Sequence, residues 1–191
     1  MVAAREVSPM SPQDYFNWEA QQESRYEYFG GQVVAMAGGT IAHGRIGLNL
    51  STLLKAQLSS GCITLNSDCK VGISKQGPFT YPDVSVTCDK RDLTAEQFIQ
   101  FPTLIIEVLS ASTEAYDRGG KFALYRRLTS LQEYVLVGSE VQSVEIFWRS
   151  PSNTWEFRAY KPGDTIQLRS LTLTLNFEQI YAGLAVPLPP A

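Results

Sequence analysis

Two carboxylates and one amine sit where they could do chemistry. Asp83 follows Tyr81-Pro82 and opens the short run Val84 to Thr87. Glu107 lies inside Leu104 to Leu109, a run otherwise built of Leu, Ile and Val. A charged group in such a run loses its hydration, so it needs a partner or a bound cation. Lys121 follows in a segment that reads as the next helix. Asp117, Lys121 and Tyr125 stand at i, i+4 and i+8, which puts them along one helix face. Two carboxylates with a divalent cation and an adjacent ammonium group are the parts of a magnesium-dependent phosphodiesterase. In that chemistry the amine holds the attacking water or stabilises charge on the phosphoryl group. Plainer readings stand beside it. Glu107 can be salt-bridged, Asp83 can mark a strand start after Pro82, and Asp117 and Lys121 can be an ordinary intrahelical pair.

The elements that must position these groups read in order. Residues 1–9 read as a loose tail. Ser11, Pro12 and Asp14 signal a helix start, and Tyr15 and Trp18 could share its buried stripe. Tyr26 to Met36 alternates about Gly30-Gly31, as a β-hairpin does. Thr40 to Ser59 is the clearest helix: Ile46, Leu50, Leu53, Leu54 and Leu58 recur at three and four, with Gly61 at the expected C-terminal cap. Cys62 to Ser74 reads as one strand or two short ones. Asp83 to Thr87 is a short strand, and a polar, partly helical connection leads to Leu104 to Leu109, a central buried strand. Ser112 or Thr113 caps a helix reaching about Leu128. Strands follow at Glu133 to Val137, Val144 to Trp148, Trp155 to Tyr160, Thr165 to Leu168 and Leu171 to Leu175. Asn176 caps a last helix carrying Phe177, Ile180 and Leu184. The pattern is α+β around a sheet, and 191 residues without a linker or repeat read as one domain.

Bulk properties narrow the class. A net charge of −3 argues against a protein that coats nucleic acid through excess positive charge. It leaves room for a local basic cleft, for which Arg118, Arg126 and Arg127 are candidates, although a solvated helix face also explains them. The three cysteines, Cys62, Cys69 and Cys88, form no CxxC pair and read as reduced thiols of a cytoplasmic protein. No stretch approaches the roughly 20 apolar residues that span a bilayer, so no membrane partner is expected.

Taken together, TyrProAspVal (Tyr81 to Val84), GluValLeuSer (Glu107 to Ser110), Asp117 with Lys121 and Tyr125, and GluTyrValLeuVal (Glu133 to Val137) resemble a bacterial family of restriction-endonuclease type. That family is assigned to the PD-(D/E)XK nuclease superfold. The resemblance extends to TyrGluTyrPheGlyGlyGln (Tyr26 to Gln32) and to His43, and covers about Tyr15 to Trp148. It implies a restriction-endonuclease-like central mixed β-sheet flanked by helices, with an N-terminal helix and hairpin and additional C-terminal strands. It implies Mg2+ or Mn2+ held by Asp83 and Glu107, with Glu27 completing the shell or holding a metal-bound water. In the superfold's usual pattern the lysine lies two residues after the second acid. That position is Leu109 here, so the resemblance points to Lys121 on the following helix. His43 is either a site residue near Glu27 or a helix-start histidine bonded to backbone.

The expected activity is therefore metal-dependent hydrolysis of phosphodiester bonds in nucleic acid, DNA by preference. The alternative is a non-catalytic nucleic-acid-binding or protein-interaction module on the same scaffold. A homodimer is a further expectation, since Phe147, Trp148, Trp155 and Phe157 could supply an apolar face, although building the core is the more ordinary role for them.

Overall fold

The computed structural model describes residues 9–36 and 38–189, so most of the expected N-terminal tail lies outside the described residues. Two sheets and their helices position everything that follows. Helix α1 (Pro12–Glu19) begins as read: Ser11 caps it by accepting from the Asp14 amide. Tyr15 is buried together with Glu19, while Trp18 is only half-buried and packs on Tyr26. Strands β1 (Tyr26–Phe29) and β2 (Gln32–Ala35) form the hairpin. Gly30 and Gly31 have φ of 59° and 100°, the left-handed backbone that a two-residue hairpin turn needs. Helix α2 (Ile41–Gln57) starts on a Thr40 cap. It ends where Leu58 turns extended, so Gly61 belongs to the following turn rather than to the cap.

The next segment holds the largest departure from expectation. Strands β3 (Ile63–Asn66) and β4 (Lys70–Gly72) join different sheets. Strands β5 (Phe79–Thr80), β6 (Val84–Thr87), β7 (Phe98–Ile99) and β8 (Pro102–Leu109) follow. One sheet has the order β2-β1-β5-β4-β7. The other contains β9 (Glu133–Gly138), β10 (Val144–Arg149) and β11 (Trp155–Tyr160) in the order β11-β10-β9-β8-β6-β3. The pairs β4–β7 and β8–β9 are parallel and the remaining neighbours antiparallel, so both sheets are mixed. A separate hairpin, β12 (Thr165–Leu168) with β13 (Leu173–Asn176), precedes a short helix, Phe177–Ile180, which stops before Leu184.

The parity of β8 decides where its acid goes. Leu104, Ile106 and Val108 meet Ile46, Leu50 and Leu54 of α2 in the larger core. Burying each of these leucines stabilises the fold by about 1.5–3 kcal/mol. Ile105 and Leu109 face the opposite side, where they pack with Tyr125, Leu128, Leu131 and Tyr134. Glu107 shares that parity and so points under the helical segment after β8.

That segment is not the single α-helix expected to reach Leu128. It runs α3 (Glu114–Tyr116), a wider π turn (Asp117–Lys121) and α4 (Phe122–Tyr125). Thr113 precedes it without a side-chain cap. The Tyr134 hydroxyl donates to the Asp117 carbonyl at 2.9 Å inside the widened turn. Such turns interrupt α-helices at functional sites more often than elsewhere.

One further expectation is corrected. Cys62 and Cys88 are not reduced thiols but a disulfide, and only Cys69 is free among the described residues. The register explains the pairing: Ile63 lies opposite Thr87 in β3–β6, so the flanking Cys62 and Cys88 face each other, Cα to Cα 4.0 Å. The aromatic set on β10 and β11 is mostly interior. Trp148 is buried and Phe147 and Trp155 pack on Phe122. Only Phe157 is exposed, on the free edge of the larger sheet.

Candidate functional site

The candidate site lies on the seam between the two sheets. Strand β1 contributes from one side. Alternation sends Tyr28 back onto Tyr15 and Phe79, and sends Glu27 and Phe29 forward to a cavity of about 410 Å³. Tyr81, Pro82 and Asp83 are the crossing from β5 in one sheet to β6 in the other. Val84 pairs with Ile106, and one step further that antiparallel register sets Asp83 opposite Glu107. The two acids thus stand side by side at the end of adjacent strands, as their spacing suggested.

Each acid is anchored through one oxygen. Asp83 Oδ2 accepts from the Val108 amide at 2.7 Å. Glu27 Oε1 accepts from the Tyr81 amide at 3.1 Å. Glu107, 2 % exposed, accepts through Oε1 from the Tyr125 hydroxyl at 2.8 Å and from Lys121 Nζ at 3.1 Å. The second oxygen of each accepts no hydrogen bond from the described residues. Lys121 Nζ also lies 3.4 Å from Glu27 Oε1 and 3.4 Å from Asp117 Oδ1. Its ammonium is the junction of the cluster, and it arrives from the helical segment rather than from Leu109.

Two residues join the site with roles the sequence left open. The imidazole of His43 faces Asp83, with Nε2 3.4 Å from Oδ2, in addition to the backbone cap at its own amide. The start of α2 lies beside the start of β6, which brings His43 to Asp83. Asp117 is buried next to Lys121. The arginines are less available: Arg118 pairs with Glu114 and Glu145, and Arg126 lies over Phe122.

Electrostatics follow from four carboxyl groups around one ammonium. Burial pushes the Glu107 carboxyl up to about 8; Lys121 opposes the rise, and Asp83, Asp117 and Glu27 add to it. Burial also raises Asp117, against the pull of Lys121. For Lys121 burial works against the charge, but Glu107, Glu27 and Asp117 outweigh it and hold the amine protonated. His43 is raised by its hydrogen bond to Asp83, against desolvation.

The cluster is braced from behind. The Tyr81 hydroxyl donates to Glu19 Oε1 at 2.7 Å, the Tyr26 amide donates to the same oxygen at 3.1 Å, and Lys70 Nζ pairs with Glu19 Oε2 at 2.6 Å. Helix α1 therefore fixes both β1 and the crossing that carries Asp83.

A divalent hard cation fits this donor set. It takes oxygen ligands and keeps several waters, so one or two carboxylates suffice for magnesium. Among the described residues no three His, Cys, Asp or Glu side chains are grouped so as to hold a metal by themselves. The uncommitted oxygens of Asp83 and Glu107, with Glu27 beside them, are the available ligands, and the excess of acids over amines favours a positive guest.

Mixed sheets flanked by helices define an α+β fold of restriction-endonuclease-like architecture. The sequence over residues 12–183 matches the Uma2 family, described as "Putative restriction endonuclease", and the chain belongs to that family. A Synechocystis protein of uncharacterised function is 45% identical over 177 residues, which cover 92% of this chain and 93% of that one. A second from the same organism, also uncharacterised, is 28% identical over 158 residues, 81% and 89% of the two chains. The fold is similar to the crystal structure of a "putative nuclease" of the DUF820 group from Anabaena variabilis, with a TM-score of 0.70 at 16% identity, covering 90% of this chain and 97% of that one. Among the described residues no helix is long and apolar enough to cross a membrane.

Proposed function

We propose that the protein is a magnesium- or manganese-dependent nuclease that hydrolyses phosphodiester bonds in nucleic acid, DNA by preference. The observation that carries this reading is Glu107, a carboxylate in the interior of an apolar strand, held by Lys121 and Tyr125 on the wall of a cavity it shares with Asp83 and Glu27. Asp83 and Glu107 would hold the cation through their uncommitted oxygens. A cation held there would supply Lewis-acid chemistry to the phosphate. Lys121 holds the attacking water and stabilises the charge that develops on the phosphoryl oxygens. Tyr125 and the Val108 amide keep the two carboxylates aimed, and Glu27 keeps Lys121 charged and in place. The test is relaxation of supercoiled plasmid by purified protein with magnesium or manganese. Wild type should nick and Lys121→Ala should not; equal trace activity in both would remove the assignment.

A second reading is favoured by one feature. The ammonium already occupies the point where the carboxylates converge, so the scaffold could hold itself together without a metal and serve as a binding module. A manganese titration separates the two. A thermal shift on adding the ion supports the nuclease, and none supports the module.

A further inference from the structure

The cavity has a second, apolar half that metal chemistry does not use. Phe29, Val34 and Met36 of the hairpin line it together with Tyr116 of α3. Val34 is 52% exposed and Tyr116 42% exposed, unusual for large groups beside a charged cluster. Val34 pairs directly with Glu27 across the hairpin, so the apolar wall and the acid share one face of the same ribbon. The Tyr116 ring meets Phe29 edge-on, centroids 6.2 Å apart.

Gly120 shows that the tyrosine's position is built in. A glycine inside a helical segment is destabilising relative to alanine. A Cβ at Gly120 would lie 2.3 Å from Tyr116 Cε2 and 2.5 Å from Cδ2. The ring rests on the bare backbone of the widened turn, one residue before Lys121. The chain thus gives up helix stability to lay an aromatic ring beside the reacting groups.

The cavity is poorly suited to a stacked duplex. Among the described residues its basic lining residues are Lys121 and His43, both engaged by carboxylates, and the nearby Arg118 is paired with Glu114 and Glu145. Duplex binding leans on a track of phosphate contacts. An aromatic ring with aliphatic neighbours instead offers a stacking surface to one base with its π-face free.

We propose that the shelf of Tyr116, Phe29, Val34 and Met36 takes an unpaired nucleobase next to the scissile phosphate, so that the substrate is single-stranded or locally unpaired nucleic acid. This rests on the nuclease reading and adds the substrate class to it. The test is binding of a single-stranded oligodeoxynucleotide carrying 2-aminopurine, and of the same strand in a duplex, with calcium as the cation. Wild type should bind the single strand about tenfold more tightly than the duplex and quench the probe as the base stacks. Tyr116→Ala and Phe29→Ala should each remove most of that preference, whereas Tyr116→Phe should keep it. Equal or tighter binding of the duplex, no binding of either, or full single-strand affinity in Tyr116→Ala overturns the inference. Cleavage in magnesium is read separately. Duplex cleavage at an unchanged rate in Tyr116→Ala overturns the shelf and spares the nuclease, while stacking without any cleavage overturns the nuclease and spares the shelf.

Discussion

Glu107 and Glu133 are two acids on neighbouring parallel strands of one sheet, and burial raises the pKa of both. They differ in who holds them. Glu133, 1 % exposed, sits at the far end of the pair and accepts from the Arg169 amide at 2.6 Å, the Ser170 amide at 3.2 Å and the Ser170 hydroxyl. Its partners are neutral, local to one turn, and use both oxygens. Glu107 is held through one oxygen by a cation and a phenol, in the wall of a cavity with other acids. Burial of a carboxylate therefore says little by itself. Neutral donors engaging both oxygens mark Glu133 as a structural acid, whereas Glu107 keeps one oxygen without a hydrogen bond beside a buried ammonium.

The strongest way to break this contrast is to remove the ammonium. Lys121→Ala should lower manganese-dependent nicking by about 1000-fold, within the range seen for positioned proton-handling or charge-stabilising groups, with circular dichroism still native. A smaller effect of the opposite kind is expected at the structural acid. Glu133→Ala strands two backbone amides and a hydroxyl, so urea unfolding should show a loss of about 3 kcal/mol, while nicking per folded molecule stays at the wild-type level. The cation supplies a third measure. At a concentration about 100 times its dissociation constant, manganese should stabilise the wild type by roughly 2.7 kcal/mol, and Asp83→Asn should lose that gain.

The smallest expected effect is a slope. Glu107 is raised from 4.5 to about 8 in the fold, so the folded state keeps a proton that the unfolded chain releases. Its contribution to metal-free stability is full below 4.5 and is lost as pH rises to about 8. Replacing it by Gln should flatten the fall of melting temperature across that window. A wild-type curve that rises over this range would show that Lys121 dominates the cluster.

Glu107 was legible because an acid interrupts an apolar run. Glu133 begins an equally apolar run, TyrValLeuVal, and the residues alone do not say that its partners are Arg169 and Ser170. Helix α2 and the first hairpin were readable because period and turn chemistry are local. The division into two sheets was not. Strands β4, β5 and β7 are two or three residues long, too short to show a period. The Cys62–Cys88 bridge depends on the β3–β6 register, and His43 reaches Asp83 only because two sheets meet there. The π turn left one trace in the sequence, Gly119-Gly120, whose meaning appears only with the Tyr116 ring in place.

The three-residue crossing from Thr80 to Val84 has a mechanical consequence. Glu27 rides on one sheet, Asp83 stands just before β6 of the other and Glu107 inside β8, and a link this short resists any sliding that would change the gap between these acids. Whatever lodges in that gap acts as a bolt through both plates. Its arrival should slow amide exchange in the hairpin and in β8 together, although most of those amides never touch it.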